Sequence, residues 1–291
     1  MEIVKKRRLS EIALGFFLLS HPLPVLLHIL AVTGLAFLAA WPHIAWNVIA
    51  LIVAAHTAMQ LSIATLNDYC DRHLDAVSKK DKPIVHGLVR PQEALLVGIL
   101  FAVAMVLLLL PLNLWALLIS LLYLALGQGY NSGLKSTPLS GFVFALAIPL
   151  IPLYAFVGVG HIAPLVFWIV PVAALLGIAL NLANSLPDIE KDAASNARTL
   201  AVVLGVKRSF LACPILLLLG VILIAILAET KLVPTHGWFI GPTLLISILV
   251  VIILLFFFGP AQPAHKRKLY FYLVVATCLV LAAGWLLAAL V

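Results

Sequence analysis

LIVAAHTAMQLSIATLNDYCDRHLD, residues 51–75, passes from an apolar run into a segment dense in carboxylates. A hydrocarbon core about 30 Å thick takes roughly 20 apolar residues in a helix, so the part before Asn67 reads as the end of a membrane span. Asn67, Asp71 and Asp75 are spaced i, i+4, i+8, which on a helix lines their oxygens along one face. The spacing returns in NSLPDIEKD as Asn184, Asp188 and Asp192, each 117 positions after its counterpart. Two such stripes facing each other would hold hard divalent cations.

The rest of the chain agrees with a membrane setting. Of 291 residues 64% are hydrophobic and only 10% charged, and the mean hydropathy is +1.20. That balance excludes an ordinary soluble domain. Apolar stretches of spanning length lie at 22–41, 44–66, 93–110, 113–129, 140–158, 163–186, 209–228, 236–258 and 270–290, which predicts an all-α polytopic membrane protein of nine spans. The charge-free run from Ala94 to Gly127 is divided at Pro111-Leu112-Asn113, where proline removes a donor and asparagine favours a turn. Pro149 and Pro152 are expected to kink the fifth span or split it. The first span follows KKRR like a signal peptide, but its apolar region is too long for a cleavable core, so it is expected to be retained. One membrane domain, residues 1–291, is expected, with two motif-bearing halves around a shared central cavity.

Charge orients the bundle. Lys5, Lys6, Arg7 and Arg8 precede the first span, and Arg72, Lys79, Lys80, Lys82 and Arg90 flank the second-to-third connection. Lys135 falls in the fourth-to-fifth connection, Lys191, Arg198, Lys207 and Arg208 in the sixth-to-seventh, and Lys266, Arg267 and Lys268 in the eighth-to-ninth. All but Lys231 of the 18 basic residues thus share one side, which the positive-inside rule makes cytoplasmic, with the N-terminus inside and the C-terminus outside. All acids but Glu229 fall on that side too, and Asp68, Asp71, Asp75, Asp188, Glu190 and Asp192 belong to the two motifs. The net charge of +7 suits anionic lipid heads, and nothing suggests nucleic acid.

Cys70, Cys213 and Cys278 lack any CxxC spacing and read as small hydrophobes. His28, His56 and His161 read as packed or interfacial. His56 and Gln60, however, share a helical face with Asn67 a few turns deeper, where they can line a cavity for a second substrate.

Carboxylate and amide oxygens at two helix ends suit magnesium, which is usually held by a few carboxylates together with substrate phosphates. Lys82, Lys135 and Arg198, expected on the same face, would neutralise the remaining diphosphate oxygens. A substrate with an anionic head and a greasy tail fits, as an isoprenyl diphosphate does.

NDYCDRHLD resembles the NDxxDxxxD signature of the UbiA-type intramembrane prenyltransferases. NSLPDIEKD followed by ARTLAVVLG resembles their second motif, and YNSGLKSTPLSG at 130–141 is similar to the YSxxLK segment between them. The resemblance covers nearly the whole chain and includes the nine-helix layout. It implies Asn67, Asp71, Asp75, Asp188 and Asp192 as magnesium-diphosphate ligands, with Asn184 and Asp68 contributing. It implies Lys135, Arg198 and Arg72 as diphosphate contacts and Tyr130 as a neighbour of the reacting allylic carbon. Where many members read RTxxRPxxxG this chain has KKDKPIVHG, so Lys82 supplies a point charge without an arginine's fork.

The expected reaction is magnesium-dependent transfer of an isoprenyl group to a hydrophobic or aromatic acceptor, with release of pyrophosphate through an allylic carbocation-like state. Tyr130 and Tyr123 offer aromatic faces to such a cation, though tyrosines in spans are more often packing. Asp68, Asp71 or His73 would assist proton loss from the acceptor. An intramembrane terpene cyclase would use the same ionisation. A cation transporter would instead place its acids at the bilayer midplane, whereas these lie at span ends.

Overall fold

A computed structural model describes residues 7–78, 82–161 and 164–290, the side chains of Ser78 and Ala264 excepted. Lys5, Lys6, Lys79 and Lys80 of the charge pattern, with Glu2, Asp81 and the expected start of the sixth span at 163, lie outside the described residues. The fold is all-α: α1 (Leu9–Leu19), α2 (Pro22–Ala40), α3 (Trp46–Ser78), α4 (Pro91–Leu109), α5 (Leu114–Asn131), α6 (Ser140–Val159), α7 (Pro164–Ser185), α8 (Ile189–Ala194), α9 (Leu200–Leu204), α10 (Val206–Glu229), α11 (Gly237–Phe257) and α12 (Ala264–Leu290). Among the described residues there is no strand, and nine helices are long and apolar enough to cross a membrane.

The boundaries show where hydropathy and helix formation part company. The α4–α5 break falls at the expected proline, and the Asn113 side chain caps α5 by accepting from the Ala116 N–H at 2.9 Å. α3, in contrast, continues to Ser78 instead of ending near 66, because i→i−4 hydrogen bonding does not depend on side-chain polarity. For the same reason Lys207, Arg208, Lys266, Arg267 and Lys268 lie in the first turns of α10 and α12 and not in connections. Pro149 and Pro152 do not split the fifth span: α6 runs through both. The short helix α1 was not legible in the apolar pattern. Its entry is fixed by Glu11, which accepts from the Arg8 N–H at 2.8 Å, and by Arg7, which donates to the Leu88 carbonyl at 3.0 Å and to Glu93 at 2.7 Å.

The chain divides into two compact units. The first comprises Met1–Ser132 with Val157–Gly160, and in it α2, α4 and α5 pack on α3. The second comprises Gly133–Phe156 and His161–Val291, with α7, α10, α11 and α12 packed together. Each unit carries one acidic motif.

Large apolar side chains such as Trp238, Phe256 and Leu30 cover the outside, as lipid requires. Lipid also removes the hydrophobic drive between helices, so close packing and interior hydrogen bonds hold them together. Gly177 of α7 shows the first: a Cβ there would lie 2.5 Å from the Phe144 carbonyl oxygen of α6. Tyr270 shows the second, its hydroxyl donating to the Phe210 carbonyl of α10 at 2.8 Å.

Candidate functional site

In the first unit the last turns of α3 carry the motif. Because the helix is continuous there, Asn67, Asp71 and Asp75 share one face. Asn67 Nδ2 donates to Asn131 Oδ1 at 2.9 Å, and Asn131 donates on to the Ile63 carbonyl at 2.9 Å, tying α3 to the end of α5. That tie fixes the register of Tyr130, half-buried in the last turn of α5. Arg72 folds back along its own helix, donating to the Tyr69 carbonyl at 2.6 Å with its guanidinium 4.3 Å above the Tyr69 ring. His73 is exposed.

Asp68 lies one residue round the helix from that face and is almost fully buried at 2% exposure. Its Oδ1 accepts from Lys82 Nζ at 2.7 Å and lies 3.0 Å from His21 Nε2. Its Oδ2 is buried without a hydrogen-bond partner among the described residues. Lys82, expected to meet diphosphate, is therefore engaged by a carboxylate of its own unit. His21 was missed in the sequence, where it stands only before the Pro22 that opens α2; its left-handed φ of 47° aims the chain into that turn.

In the second unit the expected single helical stripe is corrected. Asn184 lies in the last turn of α7, Asp188 closes a 3₁₀ turn at Leu186–Asp188, and Asp192 sits in α8. Pro187 sits in that turn and has no N–H to give to the ladder from α7. Asp188 is 60% exposed and pairs with Lys191 at 3.1 Å, a surface contact worth at most about 1 kcal/mol.

What holds this broken segment is Arg267 of α12, another residue the sequence did not single out for the site. It donates to the Leu186 carbonyl at 3.2 Å and to both Glu190 oxygens at 2.7 and 2.8 Å, and so brackets Asp188 on either side. It also donates to the carbonyls of Gln262 at 3.0 Å and Pro260 at 3.1 Å. Glu190, grouped above with the motif acids, is thereby a structural partner.

The same unit brings two expected diphosphate contacts together. Lys135 lies in the 3₁₀ turn Leu134–Ser136, and the backbone N–H of Arg198 donates to the Ser136 carbonyl at 2.8 Å. Gly133, at φ 127°, makes the turn that presents Lys135, a conformation other residues reach only with strain.

Among the described residues no group of three or more His, Cys, Asp or Glu side chains forms a metal cage. The donors are nonetheless all hard oxygens, the type magnesium takes when phosphate oxygens of a substrate complete its shell. Asn67, Asp71 and Asp75 in the first unit, and Asn184, Asp188 and Asp192 in the second, are donors of that type.

The model of the UbiA prenyltransferase family matches residues 27–276. A digeranylgeranylglyceryl phosphate synthase of Natronomonas pharaonis is 31% identical over 222 residues, 72% of this chain and 76% of that protein. A 4-hydroxybenzoate octaprenyltransferase of Neisseria gonorrhoeae is 32% identical over 154 residues, 50% of this chain and 51% of its own length. The fold resembles that of a UbiA homologue from Archaeoglobus fulgidus bound to GPP and Mg2+, with a TM-score of 0.73 at 18% identity, covering 94% of this chain and 99% of that one.

Proposed function

The chain belongs to the UbiA prenyltransferase family, and we propose that it transfers an isoprenyl group from a prenyl diphosphate to a hydrophobic or aromatic acceptor within the membrane. It is an integral, multi-pass membrane enzyme, and we read residues 1–291 as one catalytic domain with two motif-bearing halves. The N-terminus and both motif ends are assigned to the cytoplasmic side by the distribution of lysine and arginine, and the C-terminus to the other.

The observation that carries the reading is the oxygen face of Asn67, Asp71 and Asp75 at the end of a spanning helix. Carboxylates there are costly unless a cation or substrate uses them. Together with Asn184, Asp188 and Asp192 they would hold magnesium, which when bound supplies positive charge to the leaving diphosphate. Lys135 and Arg198 meet its outer oxygens, with Arg72 released from Tyr69 as a third cation. Lys82, which holds the Asp68 carboxylate, is a further cation for the donor head. Tyr130, at the end of α5, presents its ring to the allylic carbon as the C–O bond breaks and positive charge develops. The acceptor attacks that carbon and gives up a proton, for which Asp68 Oδ2 offers an open lone pair in a buried setting. Asp71, on the oxygen face, holds the donor head in line for attack.

Incubation of the purified protein with magnesium and geranyl, farnesyl or geranylgeranyl diphosphate, with and without acceptors, tests this by mass analysis of the products. Pyrophosphate release coupled to a prenylated acceptor is expected. Cyclic hydrocarbon formed without acceptor would mean a cyclase, and full activity in Asp71→Ala or Asp188→Ala would overturn the site.

A further inference from the structure

Arg198 stands on a short stretch of chain in the second unit that hydrogen bonds hold on both sides. The Ala197 N–H donates to the Asp192 carbonyl at 2.9 Å, and the Arg198 N–H to the Ser136 carbonyl at 2.8 Å. Two residues on, the Leu200 N–H donates to Ser140 Oγ at 3.3 Å, and the Ala201 carbonyl accepts from Ser209 Oγ at 3.3 Å. Residues 198–200 are thus bonded at both ends to residues 136–140, the segment that follows Lys135.

One of those end bonds is made by backbone alone, and any side chains would allow it. The other depends on the sequence. Ser140, 1% exposed, opens α6, and its hydroxyl donates to Oδ1 of the fully buried Asn181 at 3.3 Å. A hydroxyl has one proton and two lone pairs, so giving the proton to Asn181 leaves only lone pairs for the Leu200 N–H. Leu200 is the first residue of α9, where an N–H has no partner within the helix. Thr199 Oγ, which caps α9, takes the Val202 N–H instead at 3.2 Å. Ser140 therefore supplies from α6 what α9 lacks. The approach is close, for a Cβ on Gly141 would run into the Leu200 side chain.

Asn181 lies in α7, three residues before Asn184. Packing alone does not ask for an amide there. Its Nδ2 is buried without a hydrogen-bond partner among the described residues, so an apolar side chain of similar size would fill the space without stranding that group. What the amide adds is a direction for the Ser140 hydroxyl.

We propose that Ser140 and Asn181 are positioning residues for Arg198. Through Leu200 they fix residues 198–200 in register with residues 136–140, and so set where the exposed Arg198 side chain stands relative to Lys135 and to the second acidic motif. Both are buried, so neither meets the donor itself. The assignment rests on the transferase reading above, in which Arg198 and Lys135 meet the diphosphate, and the test separates the two.

Binding of inorganic pyrophosphate with magnesium is measured by titration calorimetry for the wild type, Ser140→Ala, Asn181→Leu, Arg198→Gln and the two double variants. Prenyl transfer from geranyl and geranylgeranyl diphosphate is assayed in parallel. Ser140→Ala and Asn181→Leu are each expected to weaken pyrophosphate and raise the donor KM about 10-fold, the scale of losing a ligand's support. The factor should be the same for both prenyl chains, because the defect lies at the head, and the acceptor KM should hold. On an Arg198→Gln background neither change should add more than about twofold, since the side chain it aims is gone. A merely structural role would lower the unfolding midpoint and act alike on both backgrounds.

Unchanged pyrophosphate affinity in the two single variants, or losses that multiply with that of Arg198→Gln, would overturn the assignment. So would an Arg198→Gln protein that binds pyrophosphate like the wild type. Asn181→Leu carries the test alone if Ser140→Ala does not fold, and failure of both to fold would show a structural role and also overturn it. Pyrophosphate binding that follows the expected pattern, with no prenylated product from the wild type, would leave the positioning role standing and sink the transferase reading.

Discussion

Lys82 Nζ and Asp68 Oδ1 lie 2.7 Å apart, and the carboxylate they share with His21 is 2% exposed. The ammonium, 23% exposed, thus stabilises a buried anion inside the protein. Lys82→Met should cost about 1–3 kcal/mol, below the roughly 3–5 expected for a fully buried pair because Lys82 still reaches solvent. Adding Asp68→Asn to that variant should recover part of the loss. Denaturant unfolding in detergent measures both, and additive losses would mean the two residues do not couple.

Arg267 links positions 77 residues apart by its bonds to Glu190, and its remaining donors go to backbone carbonyls. Arg267→Met would strand those carbonyls and free the turn bearing Asp188, at about 2–4 kcal/mol. Glu190→Gln, on the 62% exposed partner, should cost under about 1 kcal/mol. The donor KM is expected to rise in the arginine variant and hold in the glutamine one. Equal effects would show that the ion pair, not the carbonyl clamp, holds the segment.

Span count and motif identity were legible because each depends on local pattern: a run of apolar residues, or acids at a fixed interval. The second motif shows the limit of that reading. The i, i+4, i+8 spacing of Asn184, Asp188 and Asp192 suggested a helix, while the chain turns at Leu186–Asp188, where Pro187 has no N–H for the ladder. α3 erred the other way, extending past the apolar run because its backbone bonds continue where hydropathy falls. The ties of Asp68 to His21 and of Glu190 to Arg267 span 47 and 77 residues and leave no periodic trace.

Pro187 offers a direct check on the break. Pro187→Ala restores a donor and lets α7 run on toward α8, which would swing Asp188 away from the bracket set by Arg267. Pyrophosphate release is expected to fall about 10-fold or more, the scale of misplacing a ligand's support. Unchanged turnover would show that the turn's shape is immaterial.

Gly177 tests packing where lipid offers no hydrophobic drive. A methyl at Gly177 meets the Phe144 carbonyl at 2.5 Å, and backbone cannot swing aside as a side chain does. Gly177→Ala should cost about 1–3 kcal/mol. Gly220→Ala, whose Cβ would sit 3.4 Å from a Leu176 methyl, should fall within about 0.5 kcal/mol of wild type. Unfolding midpoints compared in one detergent decide it, and equal midpoints would count against the close approach.

Asp188 separates chemistry from folding better than any other motif acid. At 60% exposure, paired with Lys191 at the surface, it contributes little to stability, so Asp188→Asn should leave the unfolding midpoint unchanged. In the magnesium-binding role proposed for it, it should nevertheless matter greatly. Pyrophosphate release is expected to drop by about 10–100-fold and the magnesium concentration for half-maximal rate to rise. A chelator should abolish release in the wild type and added magnesium restore it. The buried Asp75, 4% exposed, should lose both activity and stability when changed to Asn. A full-rate Asp188→Asn enzyme with unaltered magnesium dependence would remove the second motif from the metal site.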